Sequence, residues 1–284
     1  MKDYKCIICG NTSFLPLFKK GEIKQFHLHK CPDCSLEFLY PVPSETVLEE
    51  CYNISYFSKR TDRGYDNYFS DNIRNEIERV FKLNIENLGF KKLSKNCGNK
   101  GRSLDIGCAA GYFVNYMKNA GWDANGIDVS APCTEFAVNE LKLSVKNGNY
   151  LKTEYREKFD LITMWATIEH LRKPEKFIQK IHSDLKEHGQ LYLSTCRTGI
   201  FNFKIFFSKN WRYYNFPEHI FFFTEKNLKK LLSDNGFKII KYRTYGSGIN
   251  SKYRFLKTIC DYAAKLFFSG DMMIIAAEKK AGNQ

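Results

Sequence analysis

No apolar run among the 284 residues approaches the roughly 20 needed to span a bilayer as a helix. The opening stretch Met1-Lys2-Asp3-Tyr4-Lys5-Cys6 has no apolar core of the secretory kind, so the expected location is cytoplasmic. Internal repeats and low-complexity tracts are also missing. Apolar residues make up 43% and charged residues 26%, which excludes a disordered chain and permits a real core. Acidic residues are scarce: 31 stand against 44 basic ones, a net charge of +13. The imbalance is local. Residues 1–197 carry a net +4, whereas residues 198–284 carry 15 basic and 6 acidic groups, a net +9. That last segment also holds 19 of the 44 aromatic residues. A basic, aromatic-rich end suggests a phosphate-bearing or otherwise acidic partner, against the plainer alternative of a lysine-rich solvated surface.

Cysteine is plentiful, with ten residues, and in a reducing compartment they do not imply a disulfide framework. Four of them stand in pairs: Cys6-Ile7-Ile8-Cys9 and Cys31-Pro32-Asp33-Cys34, with 21 residues between the pairs. Two such turns can aim four thiolates at one tetrahedral metal, so Cys6, Cys9, Cys31 and Cys34 are the expected ligands of a structural zinc. Gly10 suits the tight turn after the first pair. His27 and His29 are read as surface residues that could substitute as ligands. A closed four-ligand site leaves no open position for catalysis, and its metal would help a short segment to fold.

The spacing of apolar residues predicts a helix over residues 66–88 and a polar loop over residues 91–101. Strand–helix alternation follows. Strands are expected over residues 103–106, 124–128, 143–145, 159–165, 190–195, 237–245 and 272–278. Helices are expected after the loop 107–111, over residues 131–141, from Pro174 to His188 with Gly189 as its cap, and over residues 224–235. Repeated strand–helix units imply an α/β fold with helices on both faces of a largely parallel sheet. Gly107-Cys108-Ala109-Ala110-Gly111 follows the first strand, where a nucleotide-like ligand binds in such sheets. Asp128 comes 21 residues after Gly107, where an acid takes ribose hydroxyls. The loop is not G-x-G-x-x-G, which argues against a dinucleotide.

These residues carry a resemblance. Leu104-Asp105-Ile106-Gly107-Cys108-Ala109-Ala110-Gly111 resembles the first motif of class I S-adenosylmethionine-dependent methyltransferases, with Ala109 in place of a middle glycine. Gly126-Ile127-Asp128-Val129-Ser130 resembles the ribose-binding motif. Phe159 to Leu171 resembles the fourth-strand motif, and Leu185 to Gln190 the turn before the fifth strand. Pro217-Glu218-His219, Phe223-Thr224 and Asn235-Gly236-Phe237 resemble the tail of the small-molecule subfamily of quinone and sugar methyltransferases, some of which carry an N-terminal cysteine-rich zinc module.

The resemblance implies a Rossmann-like seven-stranded sheet, with a zinc-knuckle module over residues 1–43 and a helical lead-in over 44–98. The methyltransferase domain would then cover 99–284, with an aromatic lid at 198–223 and a helical insertion at 247–269. It also implies residue roles. Asp105, Gly107 and Gly111 would shape the pocket for the methionine end, and Asp128 would accept from both ribose hydroxyls. Val129 would pack on adenine, and Asn149 would accept from its amine. Trp165 and Ala166 would line the cofactor, and Tyr65 and Tyr68 would close over it. His170 and His219 are the candidate general bases for a hydroxyl acceptor.

The expected activity is methyl transfer to a small molecule, a nucleotide- or lipid-linked sugar or related precursor of cell-surface polysaccharide. The terminal basic helix, with Leu256, Ile259, Cys260, Ala263, Leu266 and Phe267 on one face, is expected to pack on its own domain, or to touch an anionic membrane or a pyrophosphate. The alternative partner is RNA, bound by the zinc module and the basic aromatic lid. A catalytically silent scaffold is a third reading, opposed by the intact Asp105 and Asp128.

Overall fold

The computed structural model describes residues 4–19, 26–52, 57, 67–198, 211–246 and 254–280. Tyr65, residues 199–210 of the expected lid and residues 247–253 of the expected insertion lie outside them.

Seven strands form one sheet. In chain order they are β4 (Arg102–Ile106), β5 (Asp123–Asp128), β6 (Ser144–Asn147), β7 (Phe159–Trp165), β8 (Leu185–Cys196), β10 (Phe237–Tyr245) and β11 (Met272–Lys279). Their spatial order is β10-β11-β8-β7-β4-β5-β6, with β11 antiparallel to both neighbours and the other pairings parallel. The central strands are buried on both faces, which is why they read as unbroken apolar runs. Phe159, Leu161, Ile162 and Met164 of β7 are fully buried, each stabilising the fold by about 1.5–3 kcal/mol. From β4 the chain moves outward to β5 and β6, then returns to β7 on the other side. That reversal opens a crevice at the carboxyl ends of β4 and β7, where ligands of such sheets bind.

The helices are α1 (Glu45–Cys51), α2 (Asp71–Ile85), α3 (Phe90–Asn96), α4 (Tyr112–Asn119), α5 (Ala131–Asn139), α6 (Pro174–Asp184), α7 (Glu225–Asp234) and α8 (Arg254–Leu266). Thr224 caps α7 by accepting from Asn227 N, and Gly236 follows its end in the left-handed conformation at φ +86°.

Two sequence expectations are corrected here. The loop at residues 91–101 contains α3, whose Phe90 and Leu93 are buried; the Phe90 ring packs on Trp122. Tertiary packing of two apolar residues one turn apart outweighs the lysine-rich composition. The helix expected to reach His188 ends at Asp184, and β8 begins at Leu185. Between Phe159↔Leu185 and Leu161↔Gln190 the two strands fall out of register, so β8 bulges, with His188 at φ +60°. Gly189 is therefore no helix cap. A Cβ there would lie 2.9 Å from Lys186 O and 3.0 Å from Phe159 O, so the bulge needs glycine.

The N-terminal region is built of strands that its sequence pattern did not reveal. β1 (Leu15–Lys19), β2 (His27–Lys30) and β3 (Glu37–Tyr40) form an antiparallel sheet, completed by β9 (Phe221–Phe222) from far along the chain. Leu39 N donates to Ile220 O at 2.9 Å, and Tyr214 Oη donates to the buried Glu37 carboxylate at 2.7 Å. Phe26, Leu28 and Leu39 share one apolar cluster with Trp211, Tyr214 and Phe222. His29, expected at the surface, is buried beside Phe38 and Tyr40, and its Nδ1 lies 3.1 Å from His27 O.

Candidate active site

The glycine-rich turn after β4 is tied to the end of β5. Gly107 N donates to Ile127 O at 2.8 Å, and Ala109 N donates to Asp128 Oδ2 at 2.8 Å. Asp128 Oδ1 accepts from Ser130 N at 2.8 Å. Each carboxylate oxygen keeps lone-pair capacity beyond its backbone donor. Burial raises the Asp128 pKa, with the backbone donors opposing the rise. Gly107 has φ +73°, and a Cβ there would lie 2.6 Å from Thr167 Oγ1. Ala109 and Ala166 are left-handed too, at φ +44° and +49°. Non-glycine residues pay about 1–2 kcal/mol for that conformation, so both turns at the carboxyl edge of the sheet carry strain.

Asp105 is buried under this turn and accepts from Thr163 Oγ1 at 2.6 Å. Burial is the main cause that pushes its carboxyl up to about 8, with the Asp128 charge adding to the rise and the Thr163 bond opposing it. Trp165 packs between Phe81 and Phe113, at centroid distances of 5.1 and 5.0 Å. Asn149 Oδ1 accepts from Leu151 N at 2.9 Å, capping a short turn. Tyr68 is held by Tyr112, whose hydroxyl donates to its carbonyl, and its ring meets Phe57 edge-on.

Asp105, Gly107, Asp128, Val129, Asn149, Trp165, Ala166 and Tyr68 all line one cavity of about 2190 Å³; His170 and His219 line it as well. Gly111 lies behind the turn. Its missing Cβ would meet Leu143 at 2.9 Å and Ala137 at 3.0 Å, so it serves close packing of the turn on α5.

His170 and His219 meet edge to face, with ring centroids 4.5 Å apart. His170 Nδ1 lies 2.9 Å from Glu218 O and 2.7 Å from Tyr52 Oη. A carbonyl oxygen can only accept, so the contact with Glu218 assigns the proton to Nδ1 and leaves the lone pair on Nε2. Glu169 sits beside both histidines. One ligand-capable atom from each of the three residues falls within 4.8 Å of the others. Burial pushes the Glu169 carboxyl up to about 7.

The sequence missed Tyr52 and Glu169. Tyr52 lies 118 residues before its partner, in an aromatic linker that local pattern could not place. Glu169 was visible inside the fourth-strand motif but gave no sign of its burial.

The four paired cysteines converge. Cys6 Sγ and Cys34 Sγ are 3.5 Å apart, as are Cys9 Sγ and Cys31 Sγ, and all four lie within 4.8 Å of one another. A tetrahedron with metal–sulfur bonds of about 2.3 Å has edges of about 3.8 Å, so the donor set fits a zinc ion. The two turns repeat one another. Cys6 N donates to Asn11 O and Gly10 N to Cys6 O; Cys31 N donates to Leu36 O and Ser35 N to Cys31 O. Gly10 and Ser35 occupy matching left-handed positions at φ +76° and +63°.

The described part of the aromatic lid, residues 211–223, is largely buried. Trp211, Tyr214, Phe221, Phe222 and Phe223 are buried and build the wall between the N-terminal sheet and the main domain. Among the described residues, no helix is long and apolar enough to cross a membrane.

The strand order, the turn after β4 and the acid ending β5 define an α/β Rossmann-like methyltransferase fold. A family model described as "Methyltransferase domain" matches residues 75–242, and the chain belongs to that family. Among curated proteins, a ubiquinone biosynthesis O-methyltransferase from Coxiella burnetii is 28% identical over 109 residues, covering 36% of this chain and 45% of that protein. The chain thus spans about half the length of the curated relatives it matches. A crystal structure of a SAM-dependent methyltransferase from Archaeoglobus fulgidus superposes with a TM-score of 0.53 at 19% identity, over 72% of this chain and 94% of that one. Magnesium protoporphyrin IX methyltransferase from Synechocystis PCC 6803, solved with bound SAH, superposes with a TM-score of 0.55 at 14% identity, over 84% and 100%.

Proposed function

We propose that this chain transfers the methyl group of S-adenosylmethionine to a hydroxyl of a small molecule, a nucleotide- or lipid-linked sugar or a related saccharide precursor. The observation that carries the reading is the opening of two groups onto one cavity. One is Asp128, held at the edge of β5 in the manner of a ribose-binding acid; the other is His170, its ring oriented through Nδ1 by Glu218 O and Tyr52. The relatives named for ubiquinone biosynthesis and for magnesium protoporphyrin IX support a small-molecule acceptor. Burial of Trp211, Tyr214 and Phe222 speaks against RNA, because bases stack on exposed rings.

The cofactor, when bound, supplies an already activated methyl group. The work left to the chain is alignment, which can contribute about 7–11 kcal/mol. Asp128 would take the ribose hydroxyls, Val129 the adenine face, and Asn149 its amine edge through the second lone pair of Oδ1. Asp105 and Gly107 would shape the methionine end, with Gly111 letting the turn pack closely from behind. Trp165, Ala166 and Tyr68 would line the pocket, with Tyr65 outside the described residues. His170 Nε2 would receive the acceptor's hydroxyl proton. Glu218 O and Tyr52 would hold the ring, and His219 with Glu169 would share the charge that develops there. Zinc on Cys6, Cys9, Cys31 and Cys34 would be structural, holding the sheet that carries Tyr52 to the site. The excess of basic residues in 198–284 would neutralise phosphates of the acceptor.

The test is transfer of labelled methyl from S-adenosylmethionine, screened against nucleotide sugars, lipid-linked sugars and RNA. Methylated sugar supports the reading. Methylated RNA whose formation collapses with added salt would replace it with the nucleic-acid alternative. His170→Ala and His219→Ala should lower turnover by about 10²–10⁴-fold if a base is used.

A further inference from the structure

We propose that α8 docks this protein on an anionic lipid bilayer, through an apolar stripe facing outward beside the mouth of the cavity. Ile259, Tyr262 and Leu266 are spaced i, i+3 and i+7, so they share one face of the helix. That face is turned to solvent: Tyr262 is 70% exposed and Leu266 61%. Phe267, just past the helix end, is 74% exposed, while Ala264 on the opposite side is buried. The face expected to pack inward is thus split, and its larger side chains point away from the domain. Leu83 of α2 extends the patch; it is exposed too, and Lys265 Nζ donates to its carbonyl.

The chemistry of the surroundings selects the occupant. By sequence, residues 241–268 carry six basic residues and one acid, Asp261; of these, Arg243 and Lys265 border the same cavity as Tyr262 and Leu266. Asp261 is 3.9 Å from Arg79, a guanidinium it shares with Glu76 at 2.7 Å. Exposed aromatic and aliphatic side chains in a basic segment are the signature of a helix lying in the interface of an anionic bilayer. A protein partner of similar apolarity would leave the basic excess without a counterpart.

The placement has a consequence for catalysis. Tyr262, Leu266 and Leu83 border the same cavity that Asp128 and His170 line. A bilayer against α8 therefore sits at the cavity entrance, which suits a lipid-linked acceptor whose head group enters while its tail stays in the membrane. This last step rests on the proposed methyltransferase reading; the docking surface does not.

The test is flotation of the full chain with vesicles of phosphatidylcholine alone and of phosphatidylcholine mixed with phosphatidylglycerol, alongside calorimetric binding of S-adenosylhomocysteine without vesicles. The expected result is capture by the mixed vesicles only, weakened by salt and reduced at least tenfold in Ile259→Glu/Phe267→Glu, with S-adenosylhomocysteine affinity unchanged. Absence of capture at low salt, or capture indifferent to the double substitution, would overturn the proposal. So would a dimer in solution that the double substitution splits, because the patch would then be covered by a second copy. Failure of S-adenosylhomocysteine binding with intact vesicle capture would strike the enzymatic reading and leave the surface standing.

Discussion

Asp105 carries a charge whose state the fold controls. Its carboxyl, lifted to about 8 by burial, is mostly protonated at pH 7. A raised acid pKa means that the folded state holds a proton the unfolded chain releases. The stability this contributes is full below about pH 4 and is lost as pH rises through about 8. Glu169, lifted to about 7, acts in the same direction. The ligand-free melting temperature should therefore fall between pH 5 and pH 8, and fall less in Asp105→Asn. A cationic amino-acid end placed near Asp105 would favour its carboxylate. Binding of S-adenosylhomocysteine at pH 7 should then release most of a proton, seen as a heat that varies with the buffer's ionisation enthalpy, and little at pH 9. In Asp105→Asn the buffer dependence should vanish. Gly107→Ala should cost about 1–3 kcal/mol and weaken binding, because its Cβ would sit on Thr167 at a left-handed backbone. Ala109→Gly should stay within about 1 kcal/mol of the parent, since relief of strain is offset by unfolded-state entropy.

The elements most legible in the sequence were those whose own residues determine them. β7 and β10 were read at the residues they occupy, because unbroken apolar or alternating runs bounded by turn residues permit little else. The turn Gly107–Gly111 was legible for a related reason: a tight left-handed turn packed on its neighbours requires small residues at fixed positions. What stayed hidden depends on distant partners. α3 is held by Phe90 against Trp122, and β3 by β9, which follows it by some 180 residues. Tyr52, at the end of α1, meets His170 across 118 residues of chain. Two predictions belong at this scale. Tyr52→Phe should lower kcat and shift the pH profile of turnover while leaving S-adenosylhomocysteine affinity unchanged. Metal analysis should find one zinc per chain, absent in Cys6→Ser/Cys9→Ser. Stripping it should lower turnover more than cofactor affinity, since the cofactor's side of the cavity is built on β4, β5 and β7.

Across the whole molecule, the N-terminal sheet takes in β9 from far along the chain and shares an apolar core with the Rossmann-like domain, so Tyr52 and His170 line one cavity. The charge divides along the same line: nearly neutral over residues 1–197, strongly basic beyond. The family match covers residues 75–242, and on the proposed reading the basic segment is where the acceptor would be recognised. Calorimetric titration of the full chain with S-adenosylhomocysteine, the parent against Asp128→Ala and with melting followed in parallel, tests that reading most directly. The account predicts saturable one-to-one binding, weakened at least about tenfold in the variant, or about 1.4 kcal/mol. No binding by the folded parent protein, or equal affinity in a folded Asp128→Ala, would contradict it.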